Sequence, residues 1–299
     1  MSGSVGDIDM LSCANCGIGE ENINKLKKCS ACLSVKYCSA ACQKAHRPQH
    51  KKACKRRAAE LHDEKLFKDH PPREECPICL LPLPIQGKNS TFQSCCGKMI
   101  CNGCDYAIET SEEKDLCAFC RMPPASSDEE QIKQLNKLMD KGNAGAFDMF
   151  AWLYYKGRHG MPQNPQKANE LWLKAGELGY AAAYFNLGCS YEKGTGVEFD
   201  MNKAKHYYEL AAMGGDLLAR NNLGCLEGTG KAGNEERAFK HYIIAARAGL
   251  KLSLDNVKKG FMKGVVTKEE YASTLRCYYD RQAEMKSDAR DKAAAYYGC

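Results

Sequence analysis

Cysteine pairs spaced C-x-x-C occur five times before residue 121, at Cys13/Cys16, Cys29/Cys32, Cys76/Cys79, Cys101/Cys104 and Cys117/Cys120. Two thiolates at this spacing reach one metal ion from a single tight turn, and tetrahedral zinc is the usual occupant of such sulfur sets. Fifteen of the nineteen cysteines lie in this part of the chain. Cys38, Cys42, His50 and Cys54 bring the candidate ligands between 13 and 54 to eight. A second eight, all cysteine, comprises Cys76, Cys79, Cys95, Cys96, Cys101, Cys104, Cys117 and Cys120. At four ligands per ion, about four zinc ions per chain are expected.

The elements that hold these residues must fit a chain of 299 residues, room for two or three domains. The opening MSGSVGDIDMLSCANC has no basic segment leading into an apolar core, and no later stretch is apolar enough to span a membrane. The expected compartment is therefore intracellular, cytoplasmic or nuclear, where reduced thiols are available for metal rather than for disulfides. The net charge of +6 is concentrated between Lys25 and Arg57. Such a run can touch nucleic acid or an acidic partner, but a solvated helix face beside a zinc site is the simpler expectation, and no nucleic-acid partner is expected.

Cys38 and Cys42, like His50 and Cys54, are four residues apart, a spacing that puts both members on one helix face. The stretch YCSAACQKAHRPQHKKAC, ending at Cys54, resembles the MYND zinc finger. The resemblance implies interleaved ligands, with Cys13, Cys16, Cys38 and Cys42 on one zinc and Cys29, Cys32, His50 and Cys54 on the other. His46 is then a surface or packing histidine, and Arg47 stands where the family usually has tryptophan. Fingers of this type bind short proline-containing peptides, so a peptide partner is implied.

The order CPIC, SCCGKMICNGC, CAFCRMP resembles a RING domain, with Lys98 in the place of the family's histidine ligand. Lysine is a poor zinc ligand at neutral pH because its ammonium has no free lone pair. The adjacent Cys95 and Cys96 can supply the missing thiolate. The expected groups are Cys76, Cys79, Cys101 and Cys104 on one ion, and Cys95, Cys96, Cys117 and Cys120 on the other; a six- or seven-ligand site is the alternative. Where RING domains act as ubiquitin ligases they position a charged ubiquitin-conjugating enzyme without a covalent intermediate. Ile78 matches the family's apolar contact for that enzyme and Arg121 the basic residue that bridges to ubiquitin, while Ala118 replaces a common proline.

After residue 128 alanine, leucine, tyrosine and glycine recur at helical spacing. AYFNLGCSYEKGTGVEFDMNKAKHYYELAAMGG at 183–215 is answered by 219–249 and preceded by 146–179, an α-solenoid signature of two helices per repeat. The L-G-x-x-Y and K-A-x-x-Y-Y-x-x-A-A elements resemble Sel-1-like repeats. Ala183, Ala204, Ala211, Ala238 and Ala245 are expected to let helices approach, with Leu187, Tyr208, Leu223 and Tyr242 filling between them. Gly194, Gly196, Gly228 and Gly230 are expected in tight turns. Trp152 and Trp172 read as core, Cys189 and Cys225 as small buried fillers, and 250–290 as a worn fourth copy.

The expected fold is multidomain, with two small zinc-stapled α+β modules followed by an all-α helical-repeat solenoid. The expected boundaries are a tail at 1–12, a finger at 13–54, a linker at 55–75, a RING-like module at 76–123, a linker or helix at 124–142, repeats at 143–290 and a tail at 291–299. The expected function is a zinc-binding interaction protein, either a RING-type ubiquitin ligase whose solenoid or finger recruits a client, or a non-enzymatic scaffold or transcriptional co-regulator. No methyltransferase segment flanks the finger, and nothing in the solenoid pairs a nucleophile with a base.

Overall fold

The computed structural model describes residues 12–19, 26–85, 89–112, 116–229 and 233–298. It divides into two compact units, Met1–Lys68 and Asp69–Cys299.

In the first unit, β1 (Lys27–Lys28) and β2 (Lys36–Tyr37) form a short antiparallel hairpin followed by helix α1 (Ala40–Leu66). The Ser39 side chain caps α1 by accepting the Cys42 N–H. Pro48 lies inside this helix, where it removes a backbone donor at a cost of about 3 kcal/mol. The helix runs unbroken through Pro48, with candidate ligands on either side of it, Cys42 before and His50 and Cys54 after. The first half of the expected linker 55–75 is therefore helical as far as Leu66. Exposed pairs such as Arg56 with Glu60 and Arg57 with Glu60 support it there.

The second unit opens with strands β3 (Ser90–Gln93) and β4 (Lys98–Cys101), antiparallel with Ser90 opposite Cys101, and helix α2 (Asn102–Glu109). Helix α3 (Asp128–Asp140) then leads into paired helices: α4 (Ala144–Lys156) with α5 (Pro165–Glu177), α6 (Ala181–Lys193) with α7 (Met201–Met213), and α8 (Leu217–Gly228) with α9 (Glu235–Arg247). A fourth pair, α10 (Lys251–Met262) and α11 (Lys268–Glu284), packs on α9 through Leu254, Val257, Val266 and Tyr278. The expected C-terminal tail is instead helix α12 (Asp288–Tyr297). Among the described residues no helix is long and apolar enough to cross a membrane.

Five of the six helices α4–α9 start on a side-chain cap: Asn143, Asn164, Asp200, Asp216 and Asn234 each accept an N–H of the first turn, whereas Tyr180 before α6 does not. Such caps are worth about 1 kcal/mol each. The five alanines named above are buried, as are Leu187, Tyr208, Leu223 and Tyr242. Glycines inside helices receive aromatic rings: a Cβ on Gly188 would lie 2.6 Å from Tyr208, and one on Gly224 would lie 2.6 Å from Tyr242. Gly194 and Gly196 make the turns with φ of +67° and +69°. Gly228 departs from expectation as the last residue of α8, and Gly230 lies outside the described residues. Trp172 is core at 2% exposure, whereas Trp152 is 36% exposed and packs edge-on against it. Cys225 is exposed rather than a buried filler, although the Tyr242 hydroxyl 3.3 Å from its sulfur belongs to a buried ring.

The module around residues 76–122 is seated on this solenoid. His70 Nε2 lies 2.8 Å from the Gly215 carbonyl, Phe92 packs with Leu135 and Leu138, and Ile85 joins Leu217, Ala245, Ala248 and Leu250.

Candidate metal centres

Four chain turns present the C-x-x-C pairs in the same way. In each, the N–H four residues after the first cysteine returns to its carbonyl: Gly17 to Cys13 and Leu33 to Cys29 at 2.9 Å, Leu80 to Cys76 at 2.8 Å, and Arg121 to Cys117 at 3.0 Å. The returning residue is left-handed every time, with φ of 71°, 58°, 59° and 58°. That twist aims backbone N–H groups at sulfur. Burial raises these thiols, but the N–H groups outweigh it and draw Cys13 and Cys29 down to about 6, and Cys76 and Cys117 down to about 7. Cys38 is pushed up to about 12 by hydrogen bonds with Cys42 and Cys16, and Cys54 to about 12 by burial and the nearby Cys29.

The ligand atoms gather in four groups, each within 4.8 Å: Cys13, Cys16, Cys38 and Cys42; Cys29, Cys32, His50 and Cys54; Cys76, Cys79, Cys101 and Cys104; Cys95, Cys96, Cys117 and Cys120. The closest sulfur pairs include Cys38 and Cys42 at 3.5 Å and Cys79 and Cys101 at 3.8 Å. A tetrahedral zinc with 2.3 Å bonds has edges of about 3.8 Å, so the donor type, number and spacing fit zinc. The four groups are compatible with about four zinc ions.

In the finger, His50 Nε2 sits 3.2 Å from Cys32 Sγ. Its ring stacks on His46 at 5.5 Å, and His46 Nδ1 lies 3.1 Å from the buried Tyr37 hydroxyl. His46 is thus outside the groups and orients a histidine within one. Arg47 is exposed on α1.

In the second module both members of the Cys95 and Cys96 doublet reach one group. A turn closed by Cys96 and Gly97 N–H groups on the Gln93 carbonyl, with Gly97 at φ 73°, brings both thiols inward. Lys98 begins β4 with its side chain exposed, and it is not a member of any of the four groups. Ile78 is 40% exposed, Phe119 at the matching place of its own turn is 37% exposed, and Arg121 is exposed.

One contributor escapes any reading of spacing. The Arg290 guanidinium, on α12, lies 3.7 Å from Cys79 Sγ and donates to the carbonyls of Pro82 and Met285 at 3.0 Å.

Residues 13–54 match the MYND finger family, and residues 144–180, 181–216 and 217–250 each match the Sel1 repeat. The chain carries a MYND finger and three Sel1 repeats. The ERAD-associated E3 ubiquitin-protein ligase component HRD3B of Arabidopsis thaliana is 34% identical over 127 residues, 41% of this chain and 19% of that protein. The human histone-lysine N-methyltransferase SMYD3 is 51% identical over 43 residues, 14% of this chain and 9% of that protein. The chain thus spans less than a fifth of the length of these relatives. A Sel1 repeat protein from Oxalobacter formigenes is similar in structure, with TM-score 0.45 and 29% identity over 50% of this chain and 64% of that one. The MYND finger and Sel1 repeats make this a zinc-dependent protein-interaction molecule.

Proposed function

We propose that this protein is a RING-type ubiquitin ligase that recruits its client through the Sel1 solenoid or the MYND finger. The observation that carries the reading is the interleaving of the eight cysteines between 76 and 120 into two groups, with Ile78 and Arg121 exposed on the turns of separate groups. Ile78 supplies an apolar contact for a charged ubiquitin-conjugating enzyme and Arg121 a cation beside ubiquitin. Holding the thioester near its acceptor accelerates transfer by positioning, with no nucleophile required from this chain. Because the module is seated on the repeats, a client held there is presented at a fixed distance from the conjugating enzyme. The Arabidopsis relative is an E3 ligase component, which supports the same direction. The exposed Lys98 favours a second reading, a zinc-dependent scaffold without ligase activity.

Purified protein incubated with ubiquitin, activating enzyme and a panel of conjugating enzymes separates the two. The ligase reading expects chains with at least one conjugating enzyme and their loss in Ile78→Ala and Arg121→Ala. Absence of chains across the panel, or undiminished yield in both variants, supports the scaffold instead.

A further inference from the structure

Helix α12 lies against α2 at a distance that only glycine permits: a Cβ on Gly103 would be 2.8 Å from both Cγ and N of Arg290. Ala293 is fully buried in this contact region of α12, Tyr296 packs on Tyr106 with ring centroids 5.2 Å apart, and the Tyr297 hydroxyl donates to Glu109 at 2.7 Å. The Arg290 fork ends at the metal group. Besides Cys79 Sγ at 3.7 Å, it meets the carbonyls of Leu81 at 3.5 Å and Pro82 at 3.0 Å. The Leu81 carbonyl also accepts the Cys76 N–H, closing the turn that presents Cys76 and Cys79.

We propose that Arg290 is an outer-shell positioning residue of the Cys76, Cys79, Cys101 and Cys104 centre, and that α12 is a latch docked on the module only while that centre holds its metal. Four thiolates around one divalent zinc carry a net charge of −2, which a guanidinium donating to sulfur offsets. The metal also fixes both surfaces that α12 reads. It holds the 76–81 turn that offers acceptors to Arg290, and through Cys101 and Cys104 it anchors the start of α2, where Gly103 lies. A small module of this kind has little core of its own, so withdrawal of zinc frees both surfaces together. By linkage the dependence is mutual: an undocked α12 weakens zinc retention at this centre.

The zinc-loaded full-length chain provides the test, with Arg290→Met, Arg290→Lys and a deletion of 286–299. Zinc release to a chromophoric chelator and hydrogen exchange by mass spectrometry are read together. Arg290→Met should release one of about four zinc ions at least about tenfold faster, in the range typical of outer-shell losses. The other ions should keep their rates, and residues 288–297 should exchange faster while 144–250 remain protected. Arg290→Lys, which keeps the charge but not the fork, should fall between. Native release rates in Arg290→Met overturn the proposal, as does a protected α12 after zinc has been withdrawn from this centre. Should Arg290→Met disturb the repeats, the deletion decides, because it leaves every contact up to Met285 in place; native zinc retention in it is equally fatal.

Discussion

The Tyr208 hydroxyl lies 3.3 Å from Cys189 Sγ while donating to Glu192 at 2.6 Å, and one repeat later the Tyr242 hydroxyl lies 3.3 Å from Cys225 Sγ. Each tyrosine reaches its cysteine by lying flat over the preceding glycine, Gly188 or Gly224. The recurring Leu-Gly-Cys is thus a seat for a ring from the next helix. Gly188→Ala should force Tyr208 out of that seat and destabilise the protein by about 1–3 kcal/mol, the range for overpacking a core. Urea unfolding of the zinc-loaded chain measures it, and a change below about 0.5 kcal/mol, the level of a neutral surface substitution, would show that the seat can widen freely.

Ligand chemistry made the sixteen candidate metal residues legible, because thiols three and four residues apart, repeated in sets of four, have few other uses. The repeat period exposed the solenoid in the same way. Helix continuity from Lys55 to Leu66 was less visible, since this stretch buries only Leu66 and rests on exposed charge pairs rather than an apolar stripe. Arg290 left no signal at all. It lies 211 residues from Cys79, and no local pattern links an arginine near the C-terminus to a sulfur near the start of the second unit.

Zinc withdrawal should divide the molecule. Residues 13–54 owe their packing to Cys13, Cys29 and Cys32 around Val35 and Tyr37, a core too small to persist without metal. The repeats bury Trp172, Tyr208, Leu223 and their alanines with no residue of the four metal groups among them. After exhaustive chelation, hydrogen exchange should show loss of protection across 13–54 and retention across 144–250. Simultaneous loss in both regions would mean that the solenoid depends on metal.

His46 and His50 should behave differently despite lying on the same helix face. His50→Ala removes a donor within 3.2 Å of Cys32 Sγ and should cost one zinc ion per chain by native mass spectrometry. His46→Ala removes the stacked ring and its contact with Tyr37 but no donor. It should keep every zinc and only hasten release from the neighbouring centre, by about tenfold at most for a positioning loss. A missing ion in His46→Ala would make that histidine a ligand.

Asp148 should make stability fall as pH rises. It sits on α4, accepts a hydrogen bond from Asn186 Nδ2 at 3.2 Å, and burial pushes its carboxyl up to about 7. Because the folded value lies above the ordinary 3.8 of the unfolded chain, the folded state holds the extra proton between those limits. This contribution is favourable to the folded state at low pH and is lost as pH climbs toward 7. Asp148→Asn should therefore gain about 1–3 kcal/mol at pH 8 and flatten the profile between those values. A profile as steep as that of the parent would place the titration elsewhere.

The four turns also supply a way to separate structure from contact at Arg121. Its backbone is left-handed because the turn requires it, as it does for Leu33 and Leu80, and Gly17 shows that glycine serves equally well. A non-glycine residue there carries about 1–2 kcal/mol of strain, whereas glycine adds a comparable entropy to the unfolded chain. Leu80→Gly should thus leave stability within about 1 kcal/mol of the parent, while Leu80→Val, β-branched in a left-handed position, should destabilise and hasten zinc release. Arg121→Gly keeps the turn and removes the side chain. Unchanged zinc content together with lost ubiquitin transfer would assign Arg121 a contact role, because the backbone geometry that presents Cys117 and Cys120 survives the substitution. Loss of zinc in Arg121→Gly would instead tie the residue to the turn itself.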